Sequence, residues 1–68
     1  MILNHVFENS SMLAAASYDP EEKEMSIVFT GGRAYYYVDV EKDLFDNLIS
    51  AKSAGQYFSS IKSRLKQK

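Results

Sequence analysis

Two hydrophobic patterns divide the chain into a strand-rich first half and a helical second half. Residues 25–30 and 33–40 are rich in β-branched and aromatic side chains, and the Gly-Gly pair at 31–32 between them is typical of a tight hairpin turn. Residues 12–18 predict another strand, and residues 6–7 predict a short first strand or an entry segment. The first half of the chain therefore predicts an antiparallel sheet of three to four strands.

The second half shows helical periodicity in two segments. In the first segment, apolar residues recur at positions that share one face of a helix: Leu44, Phe45, Leu48 and Ile49. The second segment begins at Ser53, three residues before Gln56, which is the spacing of a helix capping box. Its apolar stripe consists of Tyr57, Phe58, Ile61 and Leu65. A sheet followed by two helices predicts one small α+β domain over residues 1–68, with both helices packed on one face.

A two-residue turn at 31–32 would fix which side chains of the hairpin share a face. In that register Ile27 lies opposite Tyr36, and opposed residues point to the same side of a sheet. The set that includes Tyr36 is apolar and predicts the core: Met25, Ile27, Phe29, Ala34, Tyr36 and Val38. The other set is more polar: Glu24, Ser26, Val28, Thr30, Arg33, Tyr35, Tyr37 and Asp39. A shift of one residue exchanges the faces, but the contrast between the sets favours exposed Tyr35 and Tyr37. The register of residues 12–18 stays open.

Length and composition are those of one ordinary globular domain. The chain has 68 residues, of which 46% are hydrophobic and 25% are charged. The absence of cysteine excludes disulfides and thiol chemistry. No apolar segment is long enough for a secretion signal or a membrane span, so we expect a cytoplasmic protein without a membrane partner.

The net charge of -1 hides an uneven distribution of acids and bases. Residues 1–49 carry all nine acids and three of the eight bases, whereas residues 50–68 carry five bases and no acid. Such asymmetry indicates contact with nucleic acid or another acidic partner. Cations near the end of a helix also stabilise its dipole, so the basic segment has a structural explanation as well.

No arrangement of residues typical of an active site occurs in the sequence. His5 is the single histidine, and no nucleophile is paired with a base. The acidic segment at 19–24 lacks the ligand spacing of a calcium loop. We therefore expect no enzyme activity, no metal and no cofactor.

Several short motifs follow one another in a fixed order: Ser10-Ser11, Tyr18-Asp19-Pro20, Tyr35-x-Tyr37, Val40, Ala51-x-Ser53-x-Gly55-x-Tyr57-Phe58 and Ile61. This ordered set resembles the KTSC domain family. The family is named for a segment at the C-terminus of some lysyl-tRNA synthetases, and it also occurs as free-standing proteins of bacteria and phages. Glu41 stands where the family usually has proline, and Ala54 stands where it often has lysine. The resemblance implies an α+β fold over nearly the whole chain and suggests RNA binding.

The face that carries Tyr35 and Tyr37, which we call the tyrosine face, predicts a small binding module, and RNA is the leading ligand. Tyr35 and Tyr37 would stack unpaired bases, and Arg33 with the terminal lysines would supply positive charge. Val28 and Ser26 complete the predicted surface.

Other hypotheses stay open because Glu24 and Asp39 would repel phosphate from one end of that face. The alternative is a protein-interaction or self-assembling domain, including a phage-type inhibitor of a host protein. In that case the tyrosine face is buried against a protein partner or within a homo-oligomer. A nucleotide-binding module is the weaker alternative.

A second candidate site for an anion or phosphate lies at the start of the last helix. Ser53 and Gly55 would offer backbone N–H groups there, and Lys62 and Lys66 follow in the same segment. Helix capping by Ser53 and close packing at Gly55 explain the same two residues without a ligand.

Overall fold

The computed structural model describes residues 1–8 and 10–68 and contains five strands and two α-helices. The elements are β1 (Leu3–Val6), β2 (Leu13–Asp19), β3 (Glu24–Phe29), β4 (Ala34–Val38), α1 (Lys42–Ser50), α2 (Ala54–Ile61), a 3₁₀ turn (Lys62–Arg64) and β5 (Lys66–Gln67). The α+β class is confirmed, and the sheet is wider than the three to four strands that the sequence predicts. Asn9, in the serine-containing segment at 9–11, lies outside the described residues.

All five strands pair antiparallel in the order β1-β2-β3-β4-β5, so each strand lies beside its neighbours in sequence. Residues of α1 and α2 share one core with the sheet, in which Phe45 stacks on Tyr18 at a centroid distance of 5.4 Å. The Tyr18 hydroxyl donates a hydrogen bond to the Val40 carbonyl at 2.6 Å. The helices therefore cover one face of the sheet and leave the other face open.

The turn between β3 and β4 has three residues, not the predicted two. The Phe29 N–H donates to the Arg33 carbonyl at 2.8 Å, and the Gly32 N–H donates to the Phe29 carbonyl at 2.9 Å. Gly32 has a φ of 95°, which is the left-handed conformation that closes a three-residue hairpin loop. The extra loop residue shifts the register by one, so that Ile27 lies opposite Tyr35 and Met25 lies opposite Tyr37.

This shift exchanges the two faces of β4 and leaves those of β3 as predicted, so the predicted positions of the tyrosines were wrong. Tyr35 and Tyr37 lie on the helix-covered face, where Tyr37 is only 7% exposed. Tyr36 lies on the open face and is 56% exposed. The physical reason is that a glycine pair permits both turn lengths, and in both registers each face receives apolar residues.

The strand β2 settles the register that the sequence left open. The side chains of Leu13, Ala16 and Tyr18 are buried in the core. Strict alternation cannot place Leu13 and Ala16 on one face, and a bulge between Leu13 and Ala15 supplies the extra residue.

The last residues form a strand, whereas the sequence predicted that the last helix continues at least to Leu65. Helix α2 ends at Ile61, and β5 pairs with β4 so that Gln67 lies opposite Tyr37 and Lys66 opposite Val38. The Lys68 N–H donates to the Tyr36 carbonyl at 2.8 Å. Strand β5 therefore satisfies backbone groups at the edge of β4 that would otherwise lack protein partners. Among the described residues, no helix is long and apolar enough to cross a membrane.

Candidate functional site

A groove of about 430 Å³ opens on the covered side, between the β3–β4 hairpin, β5 and α2. We call it the aromatic groove. Its lining residues are Met12, Phe29, Gly31, Arg33, Tyr35, Tyr37, Phe58, Lys62 and Gln67. The Phe29 ring stands edge-on to Tyr35 at 5.4 Å and to Phe58 at 5.6 Å, and Tyr37 contacts Phe58 at 6.0 Å. Edge-to-face contacts of this kind fix the rings relative to one another, so the groove has a rigid aromatic wall.

The four rings differ in their access to solvent. Tyr37 and Phe58 are buried, whereas Phe29 and Tyr35 are partly exposed. Stacking of a planar ligand requires an accessible ring face, so Tyr35 and Phe29 are the candidate stacking residues of the groove. Tyr37 packs against Phe58 and exposes little of its ring.

The Tyr37 side chain is largely buried, and its hydroxyl is the polar group that it presents to this site. In the described part of the chain, this hydroxyl has no hydrogen-bond partner, and every fully buried side-chain N or O atom has one. The Tyr37 hydroxyl is therefore not fully buried and is accessible from the groove. Burial raises the pKa of this hydroxyl above its ordinary value, and the neighbouring Tyr35 adds to the increase. The phenol therefore stays protonated at neutral pH and can donate a hydrogen bond.

The charged residues of the aromatic groove are both cations. Arg33 lies at the hairpin end and Lys62 lies after α2, and no acid lines the groove. Within residues 1–8 and 10–68, neither cation forms an ion pair with a carboxylate. The groove thus combines aromatic surface with positive charge that no acidic side chain neutralises.

A second groove of about 580 Å³ adjoins the first at Met12, which lines both. We call it the serine groove. Its lining residues are Ser10, Ser11, Met12, Lys52, Ser53, Ala54, Gly55, Gln56 and Ser59. The Ser53 hydroxyl oxygen accepts a hydrogen bond from the Gln56 N–H at 3.3 Å, which confirms the predicted cap of α2. A Cβ atom at Gly55 would lie 3.2 Å from the Met12 Cβ, so the glycine permits the close approach of Met12 to the helix.

Most of the site residues predicted from the sequence lie in these two grooves. Arg33, Tyr35, Tyr37 and Lys62 line the aromatic groove, and Ser53 and Gly55 line the serine groove. The other three predicted residues lie on the open face: Ser26 and Val28 keep the side of β3 that the sequence predicted, and Lys66 lies there on β5.

The sequence prediction missed five residues that line the aromatic groove: Met12, Phe29, Gly31, Phe58 and Gln67. The three-residue turn would have placed Phe29 beside Tyr35, and Phe58 belongs to the aromatic pair of the family motif. Met12 and Gln67 carry no sequence signal that distinguishes them.

The open face of the sheet contains the acids that were expected beside Tyr35 and Tyr37. Glu24 pairs with Lys68 at 3.3 Å, and Asp39 pairs with Lys66 at 3.6 Å. The expected repulsion of phosphate by these two carboxylates therefore does not apply to the aromatic groove. Among the described residues, no cluster of three or more His, Cys, Asp or Glu side chains could hold a metal ion.

The fold and the grooves define a small α+β domain with one aromatic, basic surface, and comparison with known proteins identifies its family. The model of the KTSC domain family matches residues 9–64. The chain is 42% identical over 52 residues to a protein of Tsukamurella paurometabola, covering 76% of this chain and 78% of that protein. It is 30% identical over 59 residues to an uncharacterized protein of Stutzerimonas stutzeri, covering 87% and 83% respectively.

A solved structure agrees with these sequence matches. The crystal structure of a KTSC domain protein from Yersinia pestis superposes with a TM-score of 0.89 at 26% identity, covering 100% of this chain and 96% of the other. The protein belongs to the KTSC domain family, as the order of its motifs predicted.

Proposed function

We propose that this domain is a non-catalytic module that binds single-stranded nucleic acid, RNA in the first place, in the aromatic groove. The observation that carries the proposal is the coincidence of an aromatic wall with cations that no acid neutralises. Proteins that bind single strands combine these two elements, because bases stack on aromatic rings while phosphates contact cations.

The distribution of ion pairs supports this assignment. Four of the eight lysines and arginines form ion pairs with acids in the described part of the chain. The remaining four are Arg33, Lys52, Lys62 and Arg64, and three of these line the two grooves. Positive charge is thus available on the groove side, whereas Lys66 and Lys68 on the open face are paired with carboxylates.

Single strands fit the site better than duplexes. The accessible rings, Tyr35 and Phe29, lie inside a groove bounded by the hairpin and α2. A base can stack on these rings only when it is unpaired and turned away from its own strand. The adjoining serine groove with Lys52 extends the surface along which the strand would continue.

Salt dependence tests the proposal. Fluorescence anisotropy measures the affinity for a labelled mixed-sequence RNA pool at several salt concentrations. Log affinity falls with log salt, and removal of one phosphate contact to a single strand makes this negative slope shallower by about 0.7. We expect R33Q/K62Q to make it shallower by about 1.4 if each cation contacts one phosphate. The matched control is K66Q/K68Q, which removes the same charge from the open face and should leave the slope unchanged. Absence of binding at low salt, or equal effects of both double variants, would contradict the proposal.

Protein binding through the open face is a second candidate function. The observation that favours it is the exposure of large hydrophobic side chains on or beside that face: Tyr36 at 56%, Val6 at 68% and Ile2 at 51%. Tyr36 therefore replaces Tyr35 and Tyr37 as the tyrosine of this hypothesis. Light scattering at increasing protein concentration tests self-association, and a concentration-dependent mass that Y36S abolishes would support it.

A further inference from the structure

We infer that the aromatic groove recognises the edge of one unpaired base through the Tyr37 hydroxyl and the Gln67 amide. This inference rests on the proposed function and deepens it, because stacking on aromatic rings alone tolerates every base. Hydrogen bonds to a base edge discriminate among bases. The domain should therefore prefer some bases over others.

The first observation is the unmatched hydroxyl of a buried tyrosine. Tyr37 is more than nine-tenths buried, lines the groove, and its hydroxyl has no partner in the described part of the chain. The hydroxyl of the fully buried Tyr18 differs, since it donates to the Val40 carbonyl at 2.6 Å inside the core. The Tyr37 hydroxyl reaches the groove surface, so its hydrogen bonds are left for water or a ligand.

The second observation is the position of Gln67 on the strand next to Tyr37. Gln67 on β5 lies directly opposite Tyr37 on β4, and both side chains line the groove. Opposed residues of an antiparallel pair have Cβ atoms about 4.5–5.5 Å apart. The phenol and the primary amide can therefore contact the same small ligand.

The chemistry of these two groups fits a base edge rather than a phosphate. An amide and a phenol each offer both a donor and an acceptor, and an unpaired base presents donors and acceptors side by side along its edge. A phosphate accepts hydrogen bonds and leaves the acceptors of the amide and phenol unused. The cations Arg33 and Lys62 are better suited to phosphate. In the inferred arrangement the base enters the groove beside Tyr35, and the backbone of the strand stays near the cations.

Homopolymer binding tests the inference. Anisotropy measures the dissociation constants for short RNA homopolymers of adenine, cytosine and uracil with wild type, Y37F and Y36F. A good set of edge contacts discriminates by roughly 5-fold or more, so we expect the wild type to separate its best and worst homopolymers by about that factor. Y37F keeps the ring and removes the hydroxyl, and should compress the difference to within about 2-fold without changing the salt slope. Y36F is the matched control, because it removes the same atom from the open face and should keep the preference.

The outcomes separate the inference from the proposed function. Equal wild-type affinity for all three homopolymers would overturn the inference and leave nucleic-acid binding intact, as would an undiminished preference in Y37F. Failure of the wild type to bind any homopolymer at low salt would overturn both. Urea unfolding of Y37F checks that the ring still packs. Gln67 is exposed, so Q67A tests the preference among the three homopolymers independently, with little effect on folding.

Discussion

The covered and open faces of the sheet carry tyrosines and cations in different arrangements. On the covered face, Tyr35 and Tyr37 join a cluster of aromatic rings, and the neighbouring cations form no ion pair with a described carboxylate. On the open face, Tyr36 stands largely exposed, and Lys66 and Lys68 pair with carboxylates. Exposed ion pairs of this kind contribute only about 0–1 kcal/mol to stability. Their larger effect is to neutralise one face and leave positive charge on the other.

The difference teaches that composition alone does not assign function to a surface. Three consecutive tyrosines and a basic end of the chain occur in this sequence whichever way the hairpin pairs. The register decides which tyrosines meet the free cations, and a shift of one residue reverses the assignment. The following predictions test the two faces directly, beginning with the largest expected effect.

Adjacent substitutions in the tyrosine run should differ most. Y37A removes a buried ring, and such truncations cost about 3–5 kcal/mol of unfolding free energy. Small domains have roughly 0.05–0.15 kcal/mol of stability per residue, or roughly 3–10 kcal/mol for 68 residues, so we expect Y37A to lose about a third of its stability or more. Y36A should cost about 1 kcal/mol or less, because Tyr36 is on the open face. Urea unfolding followed by circular dichroism measures both values. Similar losses in the two variants would contradict the assigned faces.

Removal of one hydroxyl should distinguish the two buried tyrosines. Y18F leaves the Val40 carbonyl without its 2.6 Å hydrogen bond inside the core, and an unsatisfied buried group costs about 1–3 kcal/mol. Y37F removes a hydroxyl that bonds to no described residue, so its unfolding free energy should change by about 0.5 kcal/mol or less. The midpoint of urea unfolding checks both. A larger loss in Y37F would mean that its hydroxyl already has a partner within the fold.

The two glycines of the hairpin should respond unequally and so test the turn that sets the faces. Gly32 has a φ of 95°, and a side chain in the left-handed region costs about 1–2 kcal/mol. Gly31 does not have a positive φ, and a Cβ there meets no atom within 4 Å. G32A should therefore lower the unfolding free energy, whereas G31A should be nearly neutral. A two-residue turn with positive φ at both glycines predicts a loss in both variants.

The smallest effect is expected from pH, and it appears only under alkaline conditions. Burial raises the pKa of Tyr37 above its ordinary value of 10.0. Below that value the Tyr37 hydroxyl is protonated in both the folded and the unfolded state, so it adds no pH dependence to the unfolding free energy. Above it the unfolded state loses the proton first, and the unfolding free energy falls as pH rises. Y37F should show a shallower fall than wild type between pH about 9 and 11. Identical curves would count against the buried environment of this hydroxyl.

The sequence predicted those parts of the fold that depend on local chemistry. The cap at Ser53 and the apolar positions of both helices as far as Ile61 follow from spacing along the chain, and they lie where the spacing predicts, whereas Leu65 lies beyond α2. The ordered motifs identified the family because they too are defined by spacing along the chain. Tyr35, Tyr37 and Arg33 were predicted to lie together and do so, but in the aromatic groove of the covered face and not on the predicted exposed face.

The remaining features depend on packing that no short segment records. Gly31-Gly32 permits turns of two lengths, and the observed three-residue turn brings Tyr37 into the core with Phe45 and Phe58. Strand β5 has only two residues, Lys66–Gln67, without strand-forming side chains, and it exists because the edge of β4 is free to pair. Met12 and Gln67 become groove residues only through these tertiary contacts.

The order of the strands also determines how the domain should fold in time. Strands β1 to β4 follow one another along both the chain and the sheet, so their pairing closes short loops. Strand β5 joins β4 only after both helices, and closing that longer segment costs more chain entropy. We therefore expect the four-stranded meander to form before β5 docks, so that late protection of the Lys68 amide in pulsed hydrogen exchange accompanies completion of the aromatic groove.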